Sequence, residues 1–459
     1  MDEPAPNPEQ PRQKRVKDPT LRATEARGSL SRAAPERAGV GSSSMLAHTP
    51  RTLLFSTRGF RRWKIACDHV EAEDCIAEID DVHLLAPEPR PRHDRGLGRL
   101  LSRGLRHFTD LDVRLRRLPE TTRIEQDYDL FFFRIASLRD LRLLKRIPDW
   151  RKRCLTAICW IDELWHPQLS AAGSRATPDA WLDGRAIAQL EAFDHVVVPF
   201  RETVAPLAER IRTPVHWLPF AVDTLRFNPW PAPPPRTIDF LAMGRKSPAT
   251  HRAIEAYASA HDWLYLHDTL HVEDVYDVHE HRHHLVERLQ RTTWFLANRA
   301  KVNCPDETGG QHEMGFRFFE GAAAGAILVG ALPATAAFAR CFDWRDAAFD
   351  LPWDATDVAD VFDLLQRDPE RRARISRENV RQCLRRHDWA HRWADILALA
   401  ELPPRPGLHD RLQRLERAAA AIPEPHTATT GSACALDASA AHRVGEQFAR
   451  ATSTVSIRA

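Results

Sequence analysis

The sequence predicts an α/β protein built in two halves. Two observations carry this. Short apolar runs that look like buried parallel strands alternate with longer amphipathic segments from Arg51 to about Ala400. A proline-rich stretch, residues 219–235, interrupts the alternation, which then restarts with a fresh strand pattern. At 459 residues the chain has ample sequence for large cores and about two to three domains.

Residues 1–50 are rich in Pro, Arg, Ser, Ala and Glu without apolar periodicity, and are predicted to be a disordered tail. Leu53–Ser56 reads as a first strand, residues 64–79 as a helix and Val82–Ala86 as a second strand. Strand, loop, helix and strand at this spacing make a βαβ unit, and ligands bind outside the carboxyl ends of such strands. The loop carrying Gly59 and Arg61 is therefore a candidate site, with a solvated basic turn as the equal alternative. Residues 90–117 hold nine arginines interleaved with Leu and Phe. Such a segment can rest on an anionic membrane surface, although a solvated amphipathic helix is the commoner outcome.

Asp129–Phe133 and Leu155–Trp160 have the continuous apolar character of buried strands. The second runs into Asp162-Glu163-Leu164-Trp165-His166, an acidic, aromatic strand end where acceptor-binding or catalytic groups would sit. A helix over 180–192, a strand over 193–199, a helix over 201–211 and a strand over 215–219 follow. Five prolines between Pro229 and Pro235 make a stiff linker. The predicted units are therefore 51–228, a linker at 229–236, 237–400, and a terminal helix with a disordered tail over 401–459.

The second half opens with a strand at 237–243, the turn Gly244–Pro248 and a helix over 251–259. That strand end makes Arg245 and Lys246 natural cations for a diphosphate. Six histidines crowd His267–His284, but no H-E-x-x-H pattern is present, so a polar helix face or loop outweighs a metal site. Strands are expected over 263–266 and 293–298, and helices over 357–367, 369–386, 388–400 and 408–420.

Asn303–Gly330 is the most informative stretch. Thr308-Gly309-Gly310 is a glycine-rich loop, and Glu313 and Glu320 stand seven residues apart with Arg317 between them. If Glu313–Ala324 is helical, both carboxylates lie on one face. A glycine loop opening a helix suits a phosphate, and carboxylates suit sugar hydroxyls. Together they suggest a nucleotide sugar, although the same residues also fit an ordinary amphipathic helix.

Composition excludes little. A net charge of +2 rules nothing in, no long acidic or basic tail is present, and no nucleic-acid partner is expected. The eight cysteines form no C-x-x-C pair and no secretory signal precedes them, so free thiols in a reducing cytoplasm are expected. The uncharged run Gly321–Ala339 is broken by Gly325, Gly330 and Pro333 and reads as helix, turn and strand rather than as a membrane span.

Four segments, in this order, resemble the GT-B-fold glycosyltransferases, in particular the glycosyltransferase family 1-like group of bacterial sugar transferases. FDHVVVPFRETVAPLAERIRTPVHWLPFAVDTLRFNP resembles the end of the family's first domain, and FLAMGRKSP the opening of its nucleotide-binding domain. FFEGAAAG resembles its Glu-bearing helix, and HDWAHRWADIL the late helix that crosses back to the first domain. The family's paired glutamates usually stand eight apart rather than seven, and its lysine after the Gly-Arg turn is missing here, leaving Lys246 or Arg252.

The resemblance implies two Rossmann-like domains facing a cleft. By it, Arg245 and Lys246 would contact the donor diphosphate, Gly309 and Gly310 cradle phosphate, Glu320 bind ribose and Glu313 lie near the sugar. Arg317 joins the substrate site, and Glu313 and Asp162 are the catalytic candidates, Asp162 from its strand end rather than from any family motif. The expected reaction moves a sugar from a nucleoside-diphosphate sugar to a hydroxyl of a glycan, lipid-linked saccharide or small metabolite. No cofactor and no metal are expected, since Asp110-Leu111-Asp112 sits in the basic segment. Retention of configuration is implied by the resemblance alone. A sugar-nucleotide epimerase or a non-catalytic sugar-nucleotide-binding scaffold are the alternatives.

Overall fold

The structure, a computed structural model, describes residues 51–58, 67–86, 122–169, 182–267 and 277–424. These all lie in the second of the two units of the chain, 1–48 and 49–459. Gly59, Arg61, the basic segment 90–117 and the two tails expected to be disordered lie outside the described residues, apart from the terminal helix and a few tail-edge positions.

Two parallel sheets form the framework. The first contains β1 (Thr52–Phe55), β2 (Val82–Leu85), β3 (Tyr128–Ile135), β4 (Cys154–Ile161), β5 (His195–Val198) and β6 (Val215–Trp217), in spatial order β2-β1-β3-β4-β5-β6. The second contains β7 (Ile238–Ala242), β8 (Tyr265–His267), β9 (Thr292–Leu296), β10 (Ile327–Gly330) and β11 (Ala348–Asp350), in order β11-β10-β9-β7-β8. In each sheet the winding reverses beside the first strand, which creates a crevice at the carboxyl ends of β1/β3 and β7/β9. These are two Rossmann-like domains.

The continuous apolar runs follow from burial on both sheet faces. Along β3, Leu130 and Phe132 point into one core cluster while Phe131 and Phe133 point into another. Phe295 and Leu328 of the second sheet share the first of those clusters with Leu54, Phe132 and Trp160 of the first sheet. One apolar core therefore runs between the two sheets. Helices α1 (Cys67–Ile79), α5 (Val278–Gln290), α6 (Phe316–Ala323), α8 (Pro369–Arg386), α9 (Trp389–Leu399) and α10 (Pro406–Ala420) contribute to it; α2 (Gly184–Leu190), α3 (Val204–Ala208), α4 (Pro248–Ala260), α7 (Ala359–Gln366) and several short helical turns also cover the sheets. Among the described residues no helix is long and apolar enough to cross a membrane.

The late helix α9 crosses back to the first sheet. Its Trp393 indole donates to Asp80 at 2.8 Å and meets Phe132 edge-on at 5.3 Å. Asp388 caps α9 through the Ala390 amide and also accepts from the amide and hydroxyl of Thr224.

The histidine-rich stretch contains a regular helix, α5, one of the two outcomes the sequence leaves open. Two expectations need correction. Strand β11 has no counterpart among the predicted strands. Glu313 and Glu320 do not share a helix: α6 begins at Phe316 with Gly315 as its N-cap. Gly309 and Gly310, at φ 62° and 83°, hold the preceding chain in left-handed turns that a helix cannot contain. Gly309 closes the helical turn Pro305–Thr308 rather than opening α6.

Candidate functional site

At the crevice of the second sheet, Gly244 (φ 84°) turns the chain after β7 and leaves Arg245 exposed. Asn298, just beyond β9, ties three strand ends together. Its amide donates to the Arg245 carbonyl at 3.4 Å, and its Oδ1 accepts from the Ala331 amide at 2.8 Å. Arg299 and Lys301 follow on the same strand end. Arg245 contacts Asn303 Oδ1 at 3.3 Å and Cys304 Sγ at 3.1 Å. Arg245, Lys246, Arg299 and Lys301 thus bring four cations to this one edge.

The loop over 299–315 seats directly on the first domain. Gln311 donates to Thr203 Oγ1 at 3.0 Å and accepts from the His166 amide at 2.6 Å. A Cβ on Gly309 would lie 2.9 Å from Pro167 Cδ, so this glycine permits the close approach of the two domains. Its own amide donates to the Pro305 carbonyl.

Glu313 is buried in that contact. Its Oε1 accepts from the Glu202 amide at 2.9 Å and its Oε2 from the Arg201 amide at 3.2 Å. Burial outweighs these hydrogen bonds and raises its carboxyl to about 7.

Glu320 is equally enclosed. One oxygen accepts from Arg282 on α5, and the other accepts from Arg317 at 2.6 Å. The opposite edge of Arg282 holds Glu71 of α1, through Nε at 2.8 Å. Burial favours the protonated form of Glu320, but Arg317 and Arg282 outweigh it and lower its pKa. The hydroxyl-binding role expected of Glu320 meets a carboxylate engaged on both oxygens, and Arg317 serves it as a partner on the same helix.

Asp162 follows β4 as expected but is not open to an acceptor. Its carboxylate takes Arg134 Nε at 3.0 Å and Trp160 Nε1 at 2.8 Å, and His69 Nε2 lies 2.5 Å from Oδ2. Arg134 also reaches Asp68 at 2.5 Å and lies over the Trp389 ring at 4.7 Å. Burial would raise the Asp162 pKa, but Arg134 and His69 bring it down to about 2. Asp68, His69 and Asp162 offer ligand atoms within 4.8 Å of one another, a spacing that suits a cation. Arg134 already supplies positive charge to both carboxylates, so the residues present fit an arginine-centred cluster rather than a metal centre.

Sequence reading missed Arg282, Arg134, His69 and Lys301. Two signals were available. Arg282 lies on the helix face of Leu285, Val286 and Leu289, and Arg134 interrupts the apolar run from Leu130 to Ile135. A charge on an apolar stripe demands a buried partner.

Residues 245–398 match the model of a family described as glycosyl transferase-like. A solved structure described as the glycotransferase of kitacinnamycin is similar to 77% of this chain and 100% of that chain, at 14% identity and a TM-score of 0.33. No curated protein matches. Residues 245–398 thus resemble a glycosyl transferase-like domain, and the two parallel sheets have the paired Rossmann-like arrangement of a GT-B fold.

Proposed function

We propose that the protein transfers a sugar from a nucleoside-diphosphate sugar to a hydroxyl of a glycan, lipid-linked saccharide or small metabolite. One observation carries the reading: the β7 and β9 ends bring Arg245, Lys246, Arg299 and Lys301 to the crevice of the domain that matches a glycosyl transferase-like family. Glu163, His166 and Glu202 of the first domain stand opposite.

In this reading the acceptor oxygen attacks the anomeric carbon and the bond from that carbon to the diphosphate oxygen breaks. Arg245 and Lys246 stabilise the departing diphosphate without a metal, and Gly310 lines the phosphate side of the loop. The acceptor proton passes to a first-domain carboxylate, for which Glu163 is the half-exposed candidate. Glu313 and Asp162 act as positioning residues, because both carboxylates are enclosed by protein donors. Retention of configuration is part of the proposal, and in a single step it requires the acceptor oxygen to approach on the face that the diphosphate leaves.

The test is a thermal-shift screen against UDP, GDP, ADP and their common sugars, repeated with Arg245→Ala. A shift with one nucleotide that the exposed Arg245 substitution abolishes supports the donor site. No shift with any nucleotide at high concentration sinks it. Turnover that requires an added acceptor separates transfer from epimerisation.

A further inference from the structure

The turn after β9 carries a carboxylate of its own against a strand-end cation. Lys301 holds φ 48°, a left-handed conformation that a non-glycine residue adopts only when its surroundings impose it. The turn is closed by the Cys304 amide donating to the Lys301 carbonyl at 2.8 Å and the Glu307 amide donating to the Cys304 carbonyl at 3.0 Å. The result places Lys301 Nζ 3.1 Å from Glu307 Oε2. The same ammonium lies 3.4 Å from Glu163 of the first domain and over the Trp165 ring at 5.4 Å.

Arg245 enters this turn from β7, through Asn303 and Cys304. Lys301 first, and then the charge of Arg245, hold the Glu307 carboxyl below its usual range against a burial effect that opposes them. Glu307 is therefore paired with Lys301 and within the field of Arg245, cations that come from the two strands flanking the crevice. Its side chain is 52% exposed, so it can leave without disturbing any packing. Half-exposed carboxylates such as Glu307 and the more distant Glu163 are weak partners for Lys301, and a diphosphate, with more charge and more acceptor oxygens, is a stronger one.

We propose that Glu307 is an internal stand-in for the donor's phosphate: the unliganded protein covers Lys301, beside Arg245, with its own carboxylate, and the diphosphate displaces that carboxylate and takes Lys301 as a second contact. This rests on the donor-site reading above. No covalent step is involved; the exchange is one anion for another.

The experiment is calorimetric titration of the full chain with inorganic pyrophosphate and with the nucleoside diphosphate found by thermal shift. Wild type, Glu307→Gln, Lys301→Met and the double variant are compared; methionine keeps an apolar stem over Trp165. Glu307→Gln should bind about 3- to 10-fold more tightly and Lys301→Met about 10-fold more weakly. The double variant should lose the gain, because a stand-in with no lysine to cover has nothing to block. Unchanged or weaker binding by Glu307→Gln, or a gain that persists without Lys301, overturns the proposal. Pyrophosphate binding with the expected shifts but no nucleotide binding sinks the donor-site reading alone. Nucleotide binding that ignores Glu307→Gln sinks the stand-in alone, and no binding of either anion overturns both.

Discussion

Arg282 and Glu320 form an ion pair in which neither side chain is more than 4% exposed, and Arg282 turns its other edge to Glu71 of the first domain. One guanidinium thus neutralises two carboxylates across the domain contact. Arg282→Ala strips Glu71 of its counter-charge, leaves Glu320 with Arg317 alone, and should cost about 3–5 kcal/mol. A urea-denaturation midpoint measures this. The charge-free triple variant Glu71→Gln, Arg282→Met, Glu320→Gln should lose less than Arg282→Ala alone. Equal losses would refute the compensation argument.

Glu313 makes stability depend on pH. Its ordinary value is 4.5, and burial raises it to about 7 in the folded protein. Between those values the folded state keeps a proton that the unfolded state has lost. The contribution is therefore fully present below about pH 4.5, falls as pH rises towards 7 and is level above that. Wild type should lose up to roughly 3 kcal/mol across this window relative to Glu313→Gln, whose own offset does not depend on pH. Parallel stability–pH curves for the two proteins would contradict this.

Gly330 ends β10 at φ 156°, and an added Cβ there would overlap the carbonyl oxygen of Ala297. That atom belongs to backbone and cannot rotate away, so Gly330→Ala should destabilise by about 1–3 kcal/mol. Gly315→Ala is the control, since nothing lies within 4 Å of its added Cβ. Comparison of the two melting temperatures decides the matter; equal values would count against the close approach of Gly330 to the Ala297 carbonyl.

Arg134 holds Asp68 and Asp162 together beside His69. Arg134→Ala should lower the melting temperature markedly, because two buried carboxylates lose their counter-charge. Divalent zinc should recover part of the loss in that variant and leave wild type unmoved, since the three ligand atoms lie within 4.8 Å. A variant indifferent to zinc would show that the cluster collapses without its arginine.

Sequence alone determined the alternation of strands and helices, the break near the prolines and the strand ends that carry Asp162 and Arg245. These are local signals: an apolar run buried on both faces, or a glycine at a turn, records its environment within a few residues. The helix α8 was legible to the residue at Pro369–Arg386 because Asp368 and Pro369 mark its start.

The roles of the charged residues were decided by tertiary structure. The seven-residue spacing of Glu313 and Glu320 suggested one helix face, yet Glu313 is drawn out of the helix by the amides of Arg201 and Glu202, more than a hundred residues earlier. Arg282 looked like one more polar residue among histidines until α1 supplied Glu71 from 211 positions away. The physical reason is the same in both cases. Periodicity reports which face of an element is buried, whereas the cost of burying a charge depends on a partner that only the packed chain brings within reach.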